Sequence, residues 1–233
     1  MTNTHRAVFL DHPSLHLGDL DLAPLRDCFS DLQLFAQTTP DQVIERLKGA
    51  TVAISNKTVI DAAAIAASTE LTLILIAATG TNNVDLAAAH EHGVSVCNCR
   101  AYGTPSVAQH TLMLLLALAT RLPDYQQQVR SGAWQQASQF CLLDFPIIEL
   151  HGKTLGLLGN GELGSAVGRL AEAFGMRVLL GQLPGRPPRP DRLPLHELLP
   201  QVDALSLHCP LTEQTRKLIG AADLDLDEKV DEP

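Results

Sequence analysis

The stretch Gly152–Gly175, GKTLGLLGNGELGSAVGRLAEAFG, decides how this chain is read. It opens with an apolar run, Thr154–Leu158, of the length and composition of a buried strand. Three glycines follow, and residues Leu163–Phe174 then repeat at helical spacing. Gly159, Gly161 and Gly164 therefore form G-x-G-x-x-G between a strand and a helix. The first glycine allows a tight turn. The second lets a pyrophosphate approach the backbone. The third lets the helix pack close to the strand. The free N–H groups that open the helix then face an anion.

Downstream, the alternation continues with a strand Arg177–Leu180, a proline-rich loop LPGRPPRPDRLP, a short helix LHELLP and a third strand Ala204–His208. That is a βαβ unit plus one strand, the first half of a doubly wound nucleotide-binding fold. A glycine turn that binds nothing can carry the same letters; the flanking strand, helix and next strand set this one apart. Leu163 begins the helix and belongs to the turn's binding set. Glu162 sits inside the turn, where its carboxylate repels phosphate unless it points to solvent. An NAD site usually has an acidic residue after the second strand to hold the ribose hydroxyls. Here Gly181 and Gln182 stand there, and Arg186 follows. Arg186 suits a 2′-phosphate and equally suits a solvated loop. NAD and NADP both stay open as the cofactor.

Working outward, the first hundred residues alternate short strands and helices. RAVFLD reads as a strand, and TPDQVIERLKGATVAIS as a helix starting near Pro40 and then a strand Thr51–Ser55. DAAAIAAS is a helix and LTLILIAATGT a strand with a turn. DLAAAHEHG is a helix closed by Gly93, and VSVCNC is a strand. This pattern predicts a parallel sheet covered on both faces. A domain boundary is expected near Arg100. Next comes TPSVAQHTLMLLLALATRL, with Thr104 as N-cap, Pro105 at the first helical position and Pro123 after the stop. Its apolar residues nearly surround the helix, which predicts burial between layers or domains. PDYQQQVRSGAWQQASQF reads as helix, then loop.

Composition narrows the function classes. The net charge is −9, and the last thirteen residues hold six carboxylates and one lysine, so residues 1–220 carry −4 of it. Such a body offers no basic patch for nucleic acid, and the acidic tail is expected to be solvated. Cys28, Cys97, Cys99, Cys141 and Cys209 are scattered and odd in number. They suit reduced thiols of a cytoplasmic protein better than a zinc site. The N-terminus has no signal-peptide pattern, and the apolar runs are far below a membrane span.

Four ordered segments resemble the D-isomer-specific 2-hydroxyacid dehydrogenase family, in its glycerate dehydrogenase and hydroxypyruvate reductase branch. AATGTNNVDLAAAHEHGVSVCN is similar to its substrate loop with the helix and strand after it. YGTPSVAQHTLMLLLAL is similar to its interdomain helix, and LHGKTLGLLGNGELG to its cofactor turn. VDALSLHCPLTEQTRKLIG resembles the third strand of its cofactor domain and the loop beyond. The resemblance covers about residues 6–220. It implies two flavodoxin- or Rossmann-like α/β domains, 1–100 for substrate and 101–220 for NAD(P), with the interdomain helix at 104–121 and an acidic tail at 221–233. It also implies an active site in the cleft and hydride transfer between NAD(P)H and a small 2-oxoacid. By position, Ala78, Thr79 and Gly80 present backbone N–H groups to the substrate carboxylate. Lys57 lies where the family lines the cleft, although a surface lysine reads the same way. Thr104 and Ser106 fall near the nicotinamide end, or simply cap the helix. His208, Cys209 and Pro210 line the cofactor cleft, with Thr215 near a phosphate. A homodimer through the interdomain helix is also implied.

The chain departs from the family at its end. The family's chemistry uses an Arg, a Glu and a His in segments beyond the position of Gly220, and residues 1–233 contain none of those segments. None of the nine histidines sits in a matching motif. The expectation is therefore a C-terminally truncated cofactor domain, with an exposed sheet edge, arising from a fragment, a frameshift or a shortened paralogue. The first reading is a dehydrogenase by ancestry, with little or no activity in this chain by itself. The second is a non-catalytic nucleotide-binding or dimerisation remnant. Another two-domain Rossmann enzyme is a third, opposed by AATGTNNVD and HCPLT.

Overall fold

Apolar strands with little polar alternation need cover on both faces, and this chain supplies it twice. The computed structural model describes residues 5–224. Of the expected solvated tail at 221–233, Ala221–Leu224 forms a short helix and 225–233 lies outside the described residues. The chain divides into two compact units between Tyr102 and Gly103.

The first unit carries strands β1 (Arg6–Phe9), β2 (Asp31–Leu34), β3 (Val52–Ser55), β4 (Leu73–Ile76) and β5 (Ser95–Asn98). All pairings are parallel and the order is β2-β1-β3-β4-β5, the flavodoxin-like arrangement. Helices α1 (Ala23–Arg26), α2 (Val43–Leu47), α3 (Ala62–Ala67) and α4 (Leu86–Glu91) lie between the strands in sequence. Alternation along β1 sends Val8 and Leu10 into one core with α2, α3 and α4, and Ala7 and Phe9 into another on the opposite face with Leu25 and Phe29. Asp61 and Asp85 cap α3 and α4 by accepting the backbone N–H of Ala64 and Ala88, each such cap being worth about 1 kcal/mol.

The second unit begins with α5 (Thr104–Ala119), α6 (Leu122–Arg130) and α7 (Ala133–Gln136). The nucleotide half follows: β6 (Thr154–Leu158), α8 (Glu162–Ala173), β7 (Arg177–Gly181), α9 (Leu195–Leu198), β8 (Ala204–Leu207) and a short α10 (Ala221–Leu224). All five residues of β6 are buried, and α5 packs on α8 through one core containing Leu112, Leu157 and Val167.

Three features differ from the sequence reading. Gly103 is the N-cap of α5 and Thr104 its first residue, without a capping bond from its side chain. Burial on α5 is confined to Ala108, Leu112 and Ala119, while Met113, Leu114 and Leu118 are exposed; an apolar circumference does not specify what covers it. The strand order is β7-β6-β8, so β8, third in sequence, lies across β6 from β7. The place beside β7 holds a single bridge between Gly181 and Leu193. In the nucleotide-binding order 3-2-1-4, β8 therefore takes the fourth place and the third strand is reduced to that bridge. Among the described residues β8 pairs with β6 alone, and its Leu207 is 49% exposed.

Candidate functional site

The order of strands explains where a ligand fits. In an open parallel sheet the crevice opens at the carboxyl ends of two strands whose connections leave in opposite directions. In the second unit those strands are β6 and β8. The turn after β6 begins at Gly159 and the segment after β8 begins at His208.

The turn has no room for side chains. Gly159 has φ +101°, and a Cβ there would come within 2.6 Å of the His208 carbonyl. A Cβ on Gly164 would come within 2.0 Å of the Gly159 carbonyl oxygen. These two glycines let the turn close against β8 and let α8 start directly above it. Gly161 differs: nothing lies within 4 Å of a Cβ placed on it. The protein leaves that side of the N-cap of α8 open, as a bound pyrophosphate requires. The residues present therefore fit a dinucleotide.

A cavity of about 620 Å³ opens beside the turn. Gly159, Gly161, Gln182, Arg186, His208, Cys209 and Pro210 line it, so the structure gathers these seven candidates at one place. Arg189 and Arg192 also line it, and the sequence reading missed both. Their only signal was the clustering of Arg186, Arg189 and Arg192 in one proline-rich loop after the second strand of the nucleotide half. The Gln182 side chain folds onto this loop, donating to the carbonyls of Leu183, Arg186 and Pro187. Its Oε1 and the Nε of Arg192 are buried without a hydrogen-bond partner among the described residues. Gly181 is fixed by packing, since a Cβ there would meet Leu158 at 2.3 Å. Among the described residues no carboxylate lines the cavity.

The remaining candidates of this unit lie outside that lining. Glu162 accepts a 2.7 Å hydrogen bond from the Thr104 hydroxyl, which gives its carboxylate a partner on α5. Leu163 is half-buried in the first turn of α8. Gly164 lies under the turn. Thr215 donates to the Pro210 carbonyl and accepts from the Thr212 N–H, which makes it a turn former. It lines a smaller cavity of about 170 Å³ with Arg186 and Pro210. His208 shares a 2.9 Å hydrogen bond between its Nε2 and the Ser206 hydroxyl, and burial pushes its pKa down from 6.5.

The first unit has its own arrangement at the carboxyl ends of its strands. The turn after β4 is held by its carbonyls: Cys99 N–H donates to Ala78 O at 3.0 Å, and the Asn98 amide to Thr79 O at 2.7 Å. The N–H groups of Ala78, Thr79 and Gly80 have no acceptor among the described residues. Thr79 and Gly80 are exposed. Adjacent unpaired N–H groups on small, exposed residues are of the kind that can receive an anion. Lys57 follows β3, the neighbouring strand, and its side chain is exposed.

Among the described residues no group of three or more His, Cys, Asp or Glu is placed to hold a metal. No helix there is long and apolar enough to cross a membrane.

Comparison with known proteins agrees with this geometry. Residues 112–229 match the family described as D-isomer specific 2-hydroxyacid dehydrogenase, NAD binding domain. A putative 2-hydroxyacid dehydrogenase of Haemophilus influenzae is 41% identical over 191 residues, covering 82% of this chain and 61% of that protein. Glycerate dehydrogenase of Methylorubrum extorquens is 38% identical over 221 residues, covering 95% of this chain and 68% of its own. Among solved structures, D-lactate dehydrogenase of Aquifex aeolicus, complexed with NAD and lactic acid, superimposes with a TM-score of 0.77 at 27% identity. That match covers 95% of this chain and 66% of the enzyme. The chain thus spans about two thirds of the length of these relatives. It belongs to the D-isomer-specific 2-hydroxyacid dehydrogenase family and carries that family's NAD-binding domain.

Proposed function

We propose that this chain serves hydride transfer between NAD(P)H and a small 2-oxoacid, of the hydroxypyruvate/glycerate or glyoxylate kind. Relatives named glycerate dehydrogenase, hydroxypyruvate reductase and glyoxylate reductase support that substrate class. The observation that carries the reading is the turn at Gly159–Gly164, closed where the protein meets itself and open at Gly161. The nicotinamide ring, when bound, supplies or accepts the hydride. The chain's own residues bind and orient. The amides at the start of α8 take the pyrophosphate, and His208, Cys209 and Pro210 wall the cavity. The amides of Thr79 and Gly80 take the substrate carboxylate, with Lys57 adding positive charge. Among nicotinamides we favour NADP, because among the described residues three arginines and no carboxylate line the cavity.

We place the protein in the cytoplasm, in keeping with five free cysteines. We also propose a homodimer through the exposed apolar side of α5, where Met113, Leu116, Leu170 and Phe174 border a groove of about 810 Å³.

A second reading is a non-catalytic nucleotide-binding or dimerisation role. The nucleotide turn at Gly159–Gly164 and the exposed apolar side of α5 would each serve binding without chemistry, which is the motive for it. Purified 1–233, free of host dehydrogenase, separates the two. Saturable NADPH binding with hydroxypyruvate- or glyoxylate-dependent oxidation supports hydride transfer, and the same binding with no oxidation supports the non-catalytic role. Turnover at a rate near that of a full-length relative would overturn the non-catalytic reading.

A further inference from the structure

Three consecutive backbone N–H groups of the loop after β3 point at one buried side chain. Asn56 N–H donates to Asp11 Oδ1 at 2.9 Å, Lys57 N–H to Oδ2 at 2.6 Å and Thr58 N–H to Oδ2 at 2.8 Å. Asp11 comes from the end of β1 and is 6% exposed. Successive N–H groups of this kind form an anion-binding concavity, and a carboxylate accepting several of them is held strongly. Here the protein fills the concavity with its own carboxylate. Loop 56–58 then has no free N–H for a ligand.

The same loop is tied to the turn after β4. Asn83, 8% exposed, donates from Nδ2 to Thr58 O at 3.1 Å and to the Ser55 hydroxyl at 3.4 Å. The Ser55 hydroxyl donates to Thr58 O. Ile60 N–H donates to Asn83 O, and Asp85 N–H to Ile60 O. The Asn56 side chain reaches the hydroxyl and carbonyl of Ser14. Ends of β1, β3 and β4 are thereby joined by buried polar bonds, at a cost that an apolar core would avoid unless every group is paired.

We infer that Asp11 is a positioning residue of the substrate site: it occupies the anion concavity of loop 56–58, so that a 2-oxoacid carboxylate goes to the amides of Thr79 and Gly80 while Lys57 stays aimed from a rigid loop. This rests on the proposed substrate role of that turn. Asp11 touches no substrate in this account. It acts through the loop, and Asn83 sets the spacing between the loop and the turn.

Oxamate, an unreactive 2-oxoacid analogue, tests it. Amide spectra of ¹⁵N-labelled 1–233 are followed during titration. In the unsubstituted chain the Thr79 and Gly80 amides are expected to shift saturably while Asn56, Lys57 and Thr58 stay silent. In Asp11→Asn the oxamate dissociation constant rises about tenfold and the 56–58 amides begin to respond. NADPH affinity stays unchanged, which a global loss of structure would not allow. Asn83→Asp weakens oxamate several-fold with the 56–58 amides still silent. Wild-type oxamate affinity and silent 56–58 amides in Asp11→Asn would overturn the inference alone. No response at Thr79 and Gly80 in the unsubstituted chain would overturn the substrate reading, and the inference with it.

Discussion

Gly161 and Gly164 separate ligand space from protein space within four residues. Gly164→Ala places a methyl group 2.0 Å from a backbone oxygen, and relieving it costs about 3 kcal/mol; a large fall in the melting temperature is the check. Gly161→Ala meets nothing, so stability should change by under about 1 kcal/mol while NADPH affinity falls at least tenfold. Equal effects of the two on stability would contradict the assignment. His208 gives a pH signature. Its folded pKa lies below 6.5 because of burial, so the unfolded chain takes up a proton that the folded chain refuses. Stability is therefore held above pH 6.5 and falls as pH drops through the window below it. His208→Gln should remove that part of the slope in thermal melts between pH 7.5 and 5. Two partners were invisible in the letters. Glu162 in the turn read as a repulsive charge, and only the fold shows Thr104, fifty-eight positions away, donating to it. Asp11 read as the end of a strand, because its three partners are forty-five to forty-seven residues distant.

At the level of elements, periodicity was a good guide wherever burial was two-sided. The strands β3, β4 and β6 and the helix α8 lie within a residue or two of their sequence positions. β2 was missed, since DLQL is short and its face is only half-buried. Spacing gave no access to strand order, so β8 could not be placed across β6 in advance. In the proposed reading the proline-rich loop sets nucleotide choice. Arg186→Ala combined with Arg192→Ala should lower NADPH affinity about tenfold or more while changing NADH affinity less than twofold, by fluorescence titration; this follows from the loss of charged contacts to a 2′-phosphate. α5 carries the dimer proposal. Met113→Glu puts a charge on its exposed apolar side, and sedimentation should shift from dimer to monomer without loss of helicity. A wild-type monomer at micromolar concentration would contradict that interface.

For the whole molecule, two parallel-sheet units and four ordered motifs place the chain in its family, and the match over residues 112–229 identifies the NAD-binding domain. Ancestry was legible because glycine turns and strand–helix alternation leave strong local signals. Which strands flank β6 was not legible, and Arg189 and Arg192 went unread beside the seven residues expected at the cavity. The central claim is that the Gly159–Gly164 turn and the cavity beside it hold a nicotinamide dinucleotide. Titration of purified 1–233 with NADPH and with NADH, followed by the fluorescence of the reduced nicotinamide, tests this most directly. Saturable binding of one dinucleotide per chain is expected, tighter for NADPH and lost in Gly161→Ala. Failure of the folded chain to bind either nucleotide at millimolar concentration would contradict it.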